Sequence, residues 1–93
     1  MTAHDLATHT VTIRYFAWVR EKAGIGEERV TLPKSIVTAH DLMTWLAARG
    51  PEFAAAFANP DVIRVAIDRS HVPSSANIGA AREIAFFPPV TGG

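Results

Sequence analysis

The chain has 93 residues, enough for one domain that buries about 60–65% of the surface its unfolded form exposes, which excludes a multi-domain enzyme. Hydrophobic residues make up 48% and charged residues 19%, a globular balance rather than a disordered one. Nine Lys and Arg cancel nine Asp and Glu, so no basic excess exists to neutralise a phosphate backbone, and nucleic acid is excluded as a partner.

Residues 1–10 mix small and polar side chains, with His4 and His9 among them, and read as a flexible leader. From Val11 the pattern changes: Val11, Ile13, Tyr15 and Ala17 alternate with Thr12, Arg14, Phe16 and Trp18, predicting a half-buried strand. Val19 to Ala23 reads as one turn before Gly24-Ile25-Gly26, where the glycines reverse the chain into a second strand, Glu27 to Leu32, as a hairpin. Pro33 ends that strand. Thr38-Ala39-His40-Asp41 is a capping arrangement, and Leu42, Met43, Trp45 and Leu46 follow at helical spacing until Gly50-Pro51. Pro51 to Ala58 suits a second, short helix, closed by Asn59-Pro60. Ile63, Val65 and Ile67 predict a third strand, Asp68 to His71 a turn, and Val72 a short segment ended by Pro73. Glu83 to Phe87 is the last strand, and Pro88-Pro89 forces an extended exit. This order predicts an α+β domain over residues 11–87, one main helix packed across one face of a mixed sheet, with a tail over residues 88–93.

The usual carriers of chemistry are missing. Without cysteine there is no disulfide framework, thiolate zinc site or cysteine nucleophile, which fits a reducing compartment. His4, His9, His40 and His71 share no ligand spacing, so no metal site is expected, and Ser35, Ser70, Ser74 and Ser75 lack a local motif that supplies a base or oxyanion donors. The pairs Arg20-Glu21 and Glu27-Glu28 read as solvated surface, and Gly24-Ile25-Gly26 has neither the third glycine nor the strong following helix of a phosphate loop. The first ten residues have no cationic start or long apolar core, and no run approaches the roughly 20 apolar residues that span a bilayer. A cytoplasmic protein with no membrane partner is expected.

The tail is different. Phe86-Phe87-Pro88-Pro89-Val90-Thr91-Gly92-Gly93 joins a strand to a stiff exit and ends on two glycines, with no charge but the terminal carboxylate. Six residues from Pro88 reach roughly 20 Å when extended, enough to enter a cleft in another protein. Glycine without Cβ lets the backbone lie against the walls of such a cleft. The reactive group is then the Gly93 carboxyl itself. Strand alternation lets only one of Phe86 and Phe87 face the core, leaving the other for a partner.

The segment from Phe86 to Gly93, FFPPVTGG, resembles the C-terminal signature of the small subunits of molybdopterin synthase, sulfur carriers with the ubiquitin-like β-grasp fold. Phe16-Ala17-Trp18-Val19-Arg20-Glu21-Lys22-Ala23-Gly24 is similar to the same family's Phe-Ala, Arg-Glu and glycine segment. Two places differ: Gly79 to Glu83 stands where members often carry an acidic, glycine-containing turn, and Asp68 where asparagine is common. The resemblance implies that an adenylating, E1-like activating enzyme consumes ATP to convert the Gly93 carboxylate to an acyl adenylate, which a sulfur donor turns into a thiocarboxylate. It implies that the tail enters the large subunit of molybdopterin synthase, in a heterotetramer, and gives sulfur to cyclic pyranopterin monophosphate in molybdenum cofactor biosynthesis. The carrier then has no catalytic side chains and no bound cofactor of its own. Gly92 supplies clearance beside Thr91, Pro88 and Pro89 direct the tail, and Phe86 or Phe87 with Val90 adds apolar contact. Alternative readings are a carrier for thiazole synthesis, a ubiquitin-like protein modifier, and a noncovalent module that docks through its apolar tail.

Overall fold

The computed structural model describes residues 8–89. In chain order these form β1 (Thr8–Tyr15), α1 (Ala17–Ala23), β2 (Glu27–Pro33), α2 (Ala39–Ala47), α3 (Pro51–Ala56), a 3-10 turn at Pro60–Val62, β3 (Arg64–Ile67), β4 (Ser70–Val72) and β5 (Glu83–Phe87). The strands make one sheet in the order β2-β1-β5-β3-β4. β1 and β5 run parallel at its centre, and the other neighbours pair antiparallel. The expected mixed sheet with helices across one face is therefore the observed architecture.

One face of the sheet carries the core. Register places Ile13 beside Ile84, and Tyr15 and Val65 on either side of Phe86. These side chains form one buried cluster with Leu42, Met43 and Leu46 of α2 and with Ala56 and Phe57 at the end of α3. Fully burying a side chain of this size contributes about 1.5–3 kcal/mol, which makes this cluster the main stabilising element of the domain. The predicted start of α2 is also present in full. Thr38 Oγ1 accepts from the Asp41 amide at 3.0 Å, while Asp41 Oδ2 accepts from the Thr38 amide at 3.0 Å and the Val37 amide at 3.1 Å. Three amide donors are thereby satisfied, those of Thr38 and Asp41 reciprocally, and Thr38→Ala costs about 1 kcal/mol.

Several boundaries differ from the sequence expectation. Residues 8–10, read as part of the leader, belong to β1, which begins at Thr8 and pairs His9 with Leu32 and Thr10 with Thr31. Residues 1–7 lie outside the described residues. At the other end β1 stops at Tyr15, and Ala17–Ala23 is a two-turn helix rather than more strand and a single turn. Ala17 at φ +53° turns the chain between the two. Gly24 closes that helix at φ +81°, its amide donating to the Arg20 carbonyl at 2.9 Å, so the glycine is a helix stop and not a tight hairpin turn. The β1–β2 hairpin pairing is correct, but a helix sits inside its connection. Arg20 and Glu21 accordingly lie on α1, and the second short helix ends at Ala56, two residues early.

The turn after β3 is two residues, Asp68-Arg69, both with positive φ at +48° and +73°, and His71 already belongs to β4. Left-handed backbone at both positions matches the twist of a two-residue hairpin. Asp68 Oδ1 also accepts from the amides of Arg82 and Glu83, each at 2.9 Å, tying the turn to the start of β5. Aspartate thus meets the geometric demand at a position where asparagine was expected. Among the described residues, no helix is long and apolar enough to cross a membrane.

Candidate functional site

The end of β5 emerges from the middle of the sheet, flanked by β1 on one side and β3 on the other. Tyr15 pairs with Phe86 on the parallel side, and Arg64 with Phe87 on the antiparallel side. The Phe16 amide, where β1 turns into α1, donates to the Phe86 carbonyl at 3.1 Å. Pro88 and Pro89 come next and have no amide hydrogen, so pairing ends there and the chain leaves the sheet.

Phe86 and Phe87 part ways. Phe86 is 0% exposed, its ring 5.1 Å from Phe57 in an edge-on contact and 6.3 Å from Tyr15 in a stacked one. It is therefore a core residue, which resolves the choice between Phe86 and Phe87 and removes Phe86 from the residues expected to touch a partner: a side chain inside the aromatic cluster presents nothing to one. Phe87 points to the opposite face, half-buried, with its ring 5.1 Å from His71. The sequence held the signal for this choice, since Glu83 shares parity with Ala85 and Phe87, and a carboxylate marks the face without a core.

Around Phe87 the open face sets small side chains among charged ones, with Arg14 reaching Glu27 at 3.3 Å and Glu83 at 3.9 Å. Ala85 pairs with Arg14 on one side and Ala66 on the other, and the Arg14 guanidinium lies 5.7 Å from the centre of the exposed Phe16 ring. A depression of about 400 Å³ lined by Arg64, Val65, His71, Val72 and Pro73 borders it. Alanine floor, aromatic rim and arginine heads suit a docking face rather than a reaction chamber. Val90, Thr91, Gly92 and Gly93, the residues expected to carry the chemistry, lie outside the described residues. His9, His40 and His71 fall on β1, α2 and β4, and among the described residues no group of three or more His, Cys, Asp or Glu is placed to hold a metal ion.

Behind the tail's root lies a polar cluster that the sequence did not disclose. The Tyr15 hydroxyl donates to Glu28 Oε2 at 2.7 Å, and Arg49 reaches the same carboxylate with both terminal nitrogens, at 2.8 and 3.0 Å. The Arg49 guanidinium also lies 4.6 Å from the centre of the Phe53 ring. Glu28, read from sequence as solvated surface, is instead a link between β1, β2 and the segment joining α2 to α3. Arg49 lies 21 residues from Glu28, and no local pattern pairs them. The Arg49 hydrogen bonds, with help from Tyr15, hold the Glu28 carboxyl below its ordinary value of 4.5, while burial and then the Glu28 carboxylate push the Tyr15 phenol well above its own.

A lowered folded-state pKa means that the Glu28 contribution is present above the unfolded value and is lost as pH falls through the folded one. Thermal melts between pH 7 and pH 3 should show wild type losing stability more steeply below about pH 4.5 than Glu28→Gln, which has no charge to lose there. Parallel pH profiles for the two proteins would contradict this role of the carboxylate.

With this geometry in hand, the likenesses to known proteins can be placed. The model of the ThiS family matches residues 13–93. A molybdopterin synthase sulfur carrier subunit of Haemophilus influenzae is 35% identical over 83 residues, which cover 89% of this chain and 99% of that protein. Among solved structures, SAMP1 from Haloferax volcanii superposes with a TM-score of 0.66 at 24% identity, covering 91% of this chain and all of that one. A Pyrococcus furiosus protein assigned as molybdopterin converting factor, subunit 1, gives 0.68 at 23% identity, covering 87% of this chain and 98% of that one. The structural likenesses establish the fold as the ubiquitin-like β-grasp.

Proposed function

Because the chain belongs to the ThiS family of sulfur carriers, we propose that it is the carrier subunit of a molybdopterin synthase and delivers sulfur on the Gly93 carboxyl. The observation that carries this reading is the near full-length relationship to the Haemophilus influenzae carrier subunit. The central β5, which aims the tail out of the sheet, is consistent with it.

The chemistry follows from the terminal group. A carboxylate is a poor acyl electrophile, so activation must first supply a leaving group. In the activating enzyme a Gly93 carboxylate oxygen attacks the α-phosphorus of ATP and pyrophosphate departs. Hydrosulfide-level sulfur from a donor then attacks the acyl carbon, the C–S bond forming as the C–O bond to AMP breaks, so that AMP leaves with the oxygen and the sulfur's proton passes to solvent. The resulting thiocarboxylate is a soft nucleophile on an arm that reaches roughly 20 Å from Pro88. Catalytic side chains belong to the partners; this chain supplies the docking face, the stiff exit at Pro88-Pro89, and a glycine pair that fits a narrow channel.

Two such surfaces are needed together. Burying Phe87 contributes at most about 1.5–3 kcal/mol, below the roughly 4–15 kcal/mol that association costs, so tail and open face must engage the large subunit jointly. A carrier at each end of a dimeric large subunit gives the heterotetramer. The test is reconstitution: thiocarboxylated carrier, large subunit and cyclic pyranopterin monophosphate should yield the dithiolene product while the carrier returns to its carboxylate. Sulfur delivered only to a thiazole precursor, or an isopeptide bond between Gly93 and lysines of other proteins, would overturn the acceptor assignment.

A further inference from the structure

We propose that Tyr15, Glu28 and Arg49 act as positioning residues that set the direction in which the tail leaves the domain, by bracing the wall against which Phe86 is seated. The inference rests on the sulfur-carrier reading for its consequence, but its geometry stands on the structure alone.

Among the described residues, Phe86 is the last side chain held in the core, and Phe87 is the last residue in the ladder. If Phe86 can rock in its seat, a swing of about 10° at the root moves the tip of a roughly 20 Å arm by about 3.5 Å. Reacting groups misplaced by about 1 Å can lose about 100-fold in rate, so slack at the root is felt at the reactive end.

Besides Val65 on β3, two aromatic rings wall the seat. Phe57 meets the Phe86 ring edge-on, and Tyr15, its register partner on β1, stacks beside it at an interplanar angle of 24°. Phe57 is held by packing, whereas Tyr15 has in addition a polar anchor. Its hydroxyl is fixed by Glu28, Glu28 is gripped at both oxygens by Arg49, and the Arg49 guanidinium lies 5.7 Å from the Trp45 ring centre and 4.6 Å from that of Phe53. A two-pronged arginine–carboxylate pair fixes orientation as well as distance, which a single contact does not. The chain of contacts thus runs from α2 and α3 through β2 to the residue beside the tail's root.

Tyr15→Phe removes only the hydroxyl and leaves the Glu28–Arg49 pair; Arg49→Met releases both. Thr38→Ala serves as a control, since it lowers stability to a similar extent, about 5 °C in melting temperature, at a site away from the root. Two readouts are taken on full-length protein. Steady-state thiocarboxylation by the activating enzyme should show kcat reduced about tenfold in Tyr15→Phe with KM for the carrier unchanged, because the docking face is intact. The backbone order parameter of the Phe87 amide should fall from the rigid range near about 0.85 toward about 0.6, and should not fall in Thr38→Ala. An unchanged order parameter at Phe87, or an equal loss of kcat in Thr38→Ala, would overturn the proposal, and Tyr15→Phe decides it even if Arg49→Met does not fold. Wild-type protein that is never thiocarboxylated, with the Phe87 order parameter still falling in Tyr15→Phe, would sink the carrier reading and leave the bracing role standing.

Discussion

Deleting Gly93 abolishes thiocarboxylate formation and sulfur transfer while the melting temperature stays within about 2 °C of wild type. The reason is chemical. The reactive carbon is the last carboxyl of the chain, and removing the residue moves the new terminus one residue, about 3.5 Å, back from the activating and acceptor centres. No side chain can substitute, since the reacting group is the main-chain terminal carboxyl itself. Among the described residues the core cluster and the sheet pairings are built from residues up to Phe87, so folding is expected not to depend on Gly93. Circular dichroism melts paired with an activation assay separate the two effects, and loss of folding on deletion would contradict the division between domain and tail.

Phe86→Ala and Phe87→Ala, adjacent and chemically identical changes, should have opposite consequences. Emptying the Phe86 site inside the cluster with Tyr15 and Phe57 costs about 3–5 kcal/mol. A 93-residue domain has only about 5–14 kcal/mol in total, so this variant loses between about a fifth and all of its stability. Phe87 is half-buried on the open face against His71. Its removal should change stability by about 1 kcal/mol or less while weakening the complex with the large subunit about tenfold. Denaturant titration and calorimetric binding measure the two quantities independently. Equal destabilisation by both substitutions would mean that the open face is a second core and not a docking surface.

Local chemistry was readable in the sequence. The Thr38–Asp41 capping box and the Glu83–Phe87 strand with its proline stop follow from short-range rules and the structure has them where those rules put them, while the third strand, read from Ile63, begins at Arg64. Alternation misled at Phe16 to Trp18, where the strand period continues by coincidence into a helix whose entry turns on the left-handed Ala17. What no local rule supplied was pairing at a distance. The parallel register of Tyr15 with Phe86 and the grip of Arg49 on Glu28 depend on how the chain returns after long connections. The candidate site was legible in a similar split: the tail from motif and resemblance, the face beneath it only once Phe87, Ala85, Ala66 and Arg14 were seen side by side.

The central claim is that Gly93 carries sulfur, and the intact mass of the protein tests it most directly. Incubation with the activating enzyme, ATP and a sulfur source should replace one terminal oxygen by one sulfur in wild type, and leave the protein lacking Gly93 unchanged. An unaltered wild-type mass, with an activating enzyme shown to be active on another carrier, would contradict the account and leave the tail as a noncovalent docking peptide.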